Sequence, residues 1–251
     1  MKRAKTLLVS VLLAASTLCA TAQGSLAYSG SVWSNSDGFT SRCLGFTDTY
    51  PKQLYSLAQT QMPARGYSPV NGALGASFTR SAFLNQAVGN WAIYVHSHGD
   101  NYRATSGSGI DSAFLQDPGP TACSNYKVDS VRASSIKAAT SGGPFNLVIM
   151  STCRLGSSSS TMPGAFGIEK VKNSTDPEFF LGYVNLTYDS SQLRFERAFW
   201  SYLNAVGSPL RTASQAFAYA SGLGGYSSPD TADPFQANWW GNPGYNGRAR
   251  S

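Results

Sequence analysis

Histidine and charged side chains are scarce in this chain of 251 residues. Only two histidines are present, and Asp, Glu, Lys and Arg together make up 13% of the sequence. A catalytic zinc normally takes three protein ligands, so two histidines leave little material for a metal centre. The sequence also has no dense cluster of Lys and Arg of the kind that marks a nucleic-acid site, and we expect no nucleic-acid partner.

Long apolar runs are equally scarce, and the most prominent one lies at the amino terminus. A cationic start, an apolar stretch over residues 7–15 and a small-x-small sequence at 20–22 follow one another. The stretch is shorter than the ~20 residues that span a bilayer. We therefore predict a secretory signal peptide over residues 1–22 and an exported single domain over 23–251, with no membrane span after cleavage. Loss of the three leader cations lowers the formal net charge from +6 to +3.

Few cysteines remain after that cleavage: Cys43, Cys123 and Cys153. Disulfides are permitted outside the cytosol, and an odd count leaves at least one thiol unpaired. The economical assignment joins Cys43 to Cys123 and leaves Cys153 free. A Cys123–Cys153 bridge, or no bridge at all, remains an open alternative.

Apolar runs and helical patterns alternate along the chain. Continuous apolar runs at 91–95, 147–150 and 179–184 are typical of strands buried on both faces of a parallel sheet. The alternation predicts an α/β fold with a mostly parallel central sheet and helices on both faces. A further strand is expected near Val32.

Helices are predicted between these strands. One begins near Pro51, a second is capped by Thr79, and a third covers 128–139. Apolar spacing predicts another helix over 195–206, and Ser208-Pro209 is expected to begin the last one. We expect loops at 63–75, 101–125 and 154–175, and an irregular tail around Trp239 and Trp240. Packing is the favoured role for this tryptophan pair, with a sugar-binding platform as the alternative.

Two of the apolar runs lead into side chains with nucleophilic or basic character. His98 lies three positions after Val95, and Cys153 lies three positions after Met150. Parallel neighbouring strands would bring both to the same edge of the sheet, where open α/β sheets hold their sites. An imidazole beside a thiol can accept its proton or lower its pKa as an ion pair, which is the minimal apparatus of a cysteine nucleophile.

These residues resemble a known superfamily of cysteine peptidases, the caspases, gingipains and legumains. An apolar strand that ends in His98-Gly99 and a second that ends in a small residue and Cys153 are its signature. Cys153 follows His98 by 55 positions, close to the about 50 expected for caspases. The segment at 180–183 and the Trp-Gly-Asn-Pro sequence at 240–243 are similar to later parts of bacterial members.

The resemblance implies a caspase-like three-layer sandwich and peptide-bond hydrolysis through an acyl-enzyme, without a cofactor. It implies that His98 is the general acid and base, that Cys153 is the nucleophile, and that the amides of Gly99 and Cys153 form an oxyanion hole. His96, Asp100 and Arg154 are candidate supporting residues. The expected partner is a peptide or protein substrate.

Two other functions stay open at this stage. One is a catalytically silent caspase-like domain that binds a ligand in the cell envelope or outside the cell. The other is a metal-dependent hydrolase, because the spacing of His96, His98 and Asp100 is similar to half of a zinc motif. The peptidase is the favoured prediction, with no metal assigned.

Overall fold

A computed structural model describes most of the chain. The described residues are 28–35, 49–104, 109–115, 130–143, 145–206 and 210–248. Its strands, in chain order, are β1 (Tyr28–Ser34), β2 (Tyr67–Leu74), β3 (Ala92–His96), β4 (Gly99–Arg103), β5 (Ile110–Phe114), β6 (Val131–Arg132), β7 (Leu147–Ser151), β8 (Phe179–Tyr183) and β9 (Ala237–Gly241). Its α-helices are α1 (Tyr50–Gln61), α2 (Arg80–Ala87), α3 (Ala133–Thr140), α4 (Met162–Ala165), α5 (Asp189–Leu203) and α6 (Ala213–Leu223).

The central sheet has six strands in the order β2-β1-β3-β7-β8-β9. The first five are parallel, and β9 closes one edge antiparallel to β8. The strands β4, β5 and β6 form a separate antiparallel sheet. The predicted α/β architecture with a mostly parallel sheet is confirmed.

Strand residues alternate between two apolar layers, one on each face of the sheet. On β3, Ala92 and Tyr94 face α1, α5 and α6, whereas Ile93 and Val95 face α2, α3 and α4. All five residues of β3 and of β7 are buried, which explains their continuous apolar sequence. The same alternation points His96 towards α5, a direction that the candidate site depends on.

The prediction of a loop over 63–75 is wrong, because this segment contains β2. Pro69 and Gly72 suggested a break in structure, but β2 is the outer strand of the sheet, where proline is tolerated. Gly72 has a φ of +131°, and a Cβ there would overlap the backbone of Val32 on β1. The glycine therefore permits close pairing of the two strands.

The loop prediction over 101–125 and the irregular tail are also wrong in part. The first contains most of β4 and all of β5, and the second contains β9. Trp239 stacks on Phe179 with ring centroids 5.3 Å apart, and Trp240 packs against the opposite apolar layer. The tryptophans therefore have the packing role favoured from the sequence.

Helix ends differ from the predictions in several places. The helix predicted over 128–139 begins only at Ala133, and α5 ends at Leu203, which leaves Val206 fully exposed. Ser208 and Pro209 lie outside the described residues. The last helix begins instead at Ala213, where the Thr212 side chain accepts a bond from Gln215 N in a capping box. The predicted cap at Thr79 is present and accepts from Ala82 N.

Candidate active site

The carboxyl ends of β3 and β7 lie side by side. His96 pairs with Ser151 in the parallel register, so His98 and Cys153 each lie two residues beyond a paired position. A Cβ added to Gly99 would lie 3.0 Å from the carbonyl oxygen of Cys153. The His98-Gly99 segment therefore abuts the backbone of the Cys153 segment at one edge of the sheet.

Cys153 is a partly buried free thiol. Thr187, in the segment between β8 and α5, donates its backbone N–H to Sγ at 3.4 Å, and its hydroxyl lies 3.7 Å from Sγ. Burial raises the pKa of the Cys153 thiol, although the hydrogen bonds from Thr187 and the charge of Arg154 act in the opposite direction. Cys43 and Cys123 lie outside the described residues, so their predicted disulfide stays a prediction.

His98 is also partly buried, and burial lowers the pKa of its imidazole. The Asp189 carboxylate raises this pKa, and His96 lowers it further. The shifts at His98 and Cys153 favour the neutral imidazole and the neutral thiol. The sequence left two modes of activation open, a proton-accepting imidazole or an ion pair with the thiolate, and the burial of both groups favours the first.

The Gly99 amide is directed away from the second sheet. Leu115 N donates to His98 O at 2.9 Å, so His98 and Leu115 form a hydrogen-bonded pair of the antiparallel ladder. The next pair, Gly99 and Phe114, is then of the non-hydrogen-bonded kind, in which N–H groups point out of the ladder. This geometry turns the Gly99 N–H away from β5.

Asp100 and Arg154 contact each other. The Arg154 guanidinium donates from Nη1 to both Asp100 carboxylate oxygens, at 3.1 and 3.3 Å. Arg154 has a φ of +62°, an uncommon conformation for a residue with a side chain. Asn101 donates to the Arg154 carbonyl at 3.2 Å. These contacts tie the turn after Cys153 to β4.

His96 is almost completely buried below this edge. Its Nε2 lies 3.5 Å from Oδ2 of Asp189, and its Nδ1 lies 3.3 Å from Ser151 Oγ. Ser151 Oγ in turn donates to Gln192 Oε1 at 3.2 Å, and the Gln192 amide donates to the Thr187 hydroxyl. Polar contacts thus run from Asp189 to the residue that touches the thiol.

Helix α5 also has a polar side, which was not predicted from the sequence. Asp189, Gln192 and Glu196 are three and four residues apart, so they share one face of the helix. The completely buried Glu196 accepts from the hydroxyls of Tyr94 and Tyr183 at 2.7 and 3.0 Å. The sequence did contain a signal for this side, because the three polar residues recur at helical spacing. The apolar residues of the same helix recur at that spacing too, and the helix was predicted from them alone.

Among the described residues, no group of three His, Cys, Asp or Glu side chains could hold a metal ion. No helix within those same segments has the length and apolar character required to cross a bilayer.

Comparison with known proteins relates this fold to cysteine proteinases. No protein-family profile matches the chain, and no curated protein matches its sequence. The crystal structure of the Arg-specific cysteine proteinase gingipain R superimposes with a TM-score of 0.54 at 10% identity, over 86% of this chain and 46% of that one. A complex of the pro- and mature domains of RgpB from Porphyromonas gingivalis gives 0.45 at 10% identity, over 78% and 41%.

The likeness to gingipain R shows the fold alone. The chain has the caspase-like architecture of gingipain R, as the sequence resemblance predicted. It spans less than half the length of the proteinases it matches.

Proposed function

We propose that this protein is an exported cysteine endopeptidase in which Cys153 and His98 act as nucleophile and general acid–base. The observation that carries the proposal is the adjacency of the His98-Gly99 and Cys153 segments at the carboxyl edge of the sheet. The caspase-like fold adds support, because ligands of open α/β sheets bind at this edge.

The pKa shifts of both groups favour their neutral forms, and these forms suit a general-base mechanism. His98 accepts the thiol proton as Cys153 Sγ attacks the carbonyl carbon of the scissile peptide bond. The resulting imidazolium then protonates the departing amine, and the C–N bond breaks to leave a thioester on Cys153. His98 next takes a proton from water as the water oxygen attacks the thioester. The C–S bond then breaks, and the His98 imidazolium returns the proton to sulfur, which releases the carboxylic acid and the free thiol.

The oxyanion of each tetrahedral intermediate needs donors placed before the reaction begins. We assign this role to the backbone amides of Gly99 and Cys153. In support, the Gly99 N–H points away from the β4–β5 ladder and so is not used by β5, and the Gly99 backbone lies close to that of Cys153. Fixed N–H donors at this position would stabilise the transition state more than the ground state.

A peptide-library cleavage assay tests the proposal directly. Wild-type protein should hydrolyse a subset of peptides, and Cys153→Ala and His98→Ala should each reduce kcat/KM by about a thousandfold or more. Cys153→Ala removes only a partly buried side chain, so its thermal unfolding should remain close to that of the wild type. Full activity in Cys153→Ala would refute the assignment.

A catalytically silent binding module is the second candidate. It is favoured by the burial of the thiol, which raises the pKa of Cys153 and so favours its unreactive, protonated form. The same assay separates the two functions. A folded wild-type protein that cleaves no peptide and whose Cys153 resists alkylation by iodoacetamide would support the silent module.

A further inference from the structure

Three chain segments each deliver two residues to the site, two positions apart. The first pair is His96 and His98, the second is Ser151 and Cys153, and the third is Asp189 and the buried Thr187, which contacts the Cys153 thiol. His96 lies between Asp189 at 3.5 Å and Ser151 at 3.3 Å.

The charge of Asp189 reaches both members of the proposed dyad. Its carboxylate raises the pKa of His98 and also that of Cys153. It therefore favours the protonated imidazole, which helps a leaving amine depart, but it opposes ionisation of the thiol. A cation beside Asp189 would reduce the second effect, and His96 is in that position.

Other ionisable groups surround this pair. Tyr94 on β3 is affected by the Asp189 charge, and Glu196 lies further along α5 and is affected by His96. Arg154, in the turn after β7, acts on Cys153 with the opposite sign to Asp189. His96 makes the direct contact with Asp189 among these groups, so it is the residue best placed to modulate that charge.

We propose that His96 and Asp189 are a positioning pair for the dyad: Asp189 stabilises the imidazolium of His98 during turnover, and His96 screens the Asp189 carboxylate from Cys153. The pair rests on the proposed peptidase function, and neither member touches the substrate. Removal of either partner should therefore shift the pH dependence of the site, and the two shifts should have opposite signs.

The direction of the pH shift expected for a substitution of Asp189 follows from the loss of its negative charge. Asp189→Asn should move the pH midpoint of Cys153 alkylation towards acid, by about half a unit or more, because the thiolate is no longer opposed. The acid limb of kcat/KM should move in the same direction, since the His98 imidazolium loses a stabilising partner.

His96→Gln should give the reverse result. Glutamine can retain a hydrogen bond to Ser151 but cannot screen the Asp189 carboxylate with a positive charge. The alkylation midpoint of Cys153 and the acid limb of kcat/KM should both move towards alkaline pH. The double variant should lie between the two single variants.

The experiment measures the rate of iodoacetamide labelling at Cys153 against pH in the full exported chain, with labelled Cys153 quantified by peptide mapping. Asp233→Asn, which removes an exposed carboxylate elsewhere, is the control and should follow the wild type. Unchanged pH midpoints of Cys153 alkylation in both variants, or shifts of the same sign, would refute the proposed role of His96 and Asp189. Labelling needs no peptidase activity. A wild-type protein that cleaves no peptide would therefore refute the proposed function, and the labelling rates would still test the role of the pair.

Discussion

At the scale of single residues, the chemistry depends on how burial shifts the pKa values of Cys153 and His98. Burial raises the pKa of the Cys153 thiol and lowers that of the His98 imidazole, and both shifts favour the neutral forms that the proposed general-base mechanism needs. The sequence located both residues through their distance from apolar strands. It could not give the direction of their pKa shifts, because burial depends on segments remote in sequence, such as the one that carries Thr187.

The lowered pKa of His98 gives a prediction for the pH dependence of the peptidase. A general base must be neutral, so kcat/KM should rise through a midpoint below 6.5, the ordinary value for histidine. Initial rates at substrate concentrations far below KM provide this profile. An acid limb at or above the ordinary histidine value would contradict the assignment of His98 as a buried base.

At the scale of elements, two glycines hold the turn after Cys153 against β8. Gly156 N donates to Tyr183 O at 2.8 Å, and a Cβ added to Gly182 would lie 2.8 Å from Gly156 N. This spacing is closer than a side chain allows, so neither position accepts a larger residue without a shift of the backbone.

Gly182→Ala should therefore displace the turn that carries the nucleophile. We expect a loss of about 1–3 kcal/mol in the free energy of unfolding, typical of overpacking, together with lower peptidase activity. Gly222→Ala in α6 is the matched control, because a Cβ there meets no atom within 4 Å. That control should be neutral or stabilising by up to about 1 kcal/mol. Equal stability of the two variants in denaturant unfolding would contradict the close contact.

The buried acid of α5 makes stability depend on pH. Burial raises the pKa of Glu196 above its ordinary value of 4.5, so the folded protein binds the proton more tightly than the unfolded chain does. Stability is then highest below the unfolded-state pKa and falls as pH rises towards the folded-state pKa.

Glu196→Gln should remove this dependence, because glutamine imitates the protonated acid between Tyr94 and Tyr183. Thermal melts from mildly acidic to neutral pH should show the wild type losing stability relative to the variant as pH rises. Parallel curves for the two proteins would indicate that Glu196 ionises in the folded state as readily as in the unfolded chain.

At the scale of the whole molecule, elements with a strong apolar pattern were the ones predicted correctly. The strands β3, β7 and β8 are continuous apolar runs because both of their faces are covered. The outer strands β2 and β9 were missed, since an edge position tolerates Pro69 and Gly72 and allows partly exposed side chains. The polar residues of α5 can be assigned to the candidate site only when it is known that they contact the edge of the sheet.

Export is a prediction for the molecule as a whole. The pattern of residues 1–22 predicts cleavage after Ala22, so the exported protein should begin at Gln23. Amino-terminal sequencing of protein recovered outside the cytoplasm checks this boundary. Recovery of the uncleaved chain in the cytoplasmic fraction would contradict it.

The covalent intermediate provides the most direct test of the central claim, that Cys153 attacks the scissile carbonyl with His98 as its base. A peptide ester substrate, mixed rapidly with the wild-type protein and quenched in acid, should yield a species heavier by one acyl group. Peptide mapping should locate that group on Cys153, and His98→Ala should slow its formation by about a thousandfold. No acyl adduct during demonstrated turnover, or an adduct on another side chain, would contradict the account.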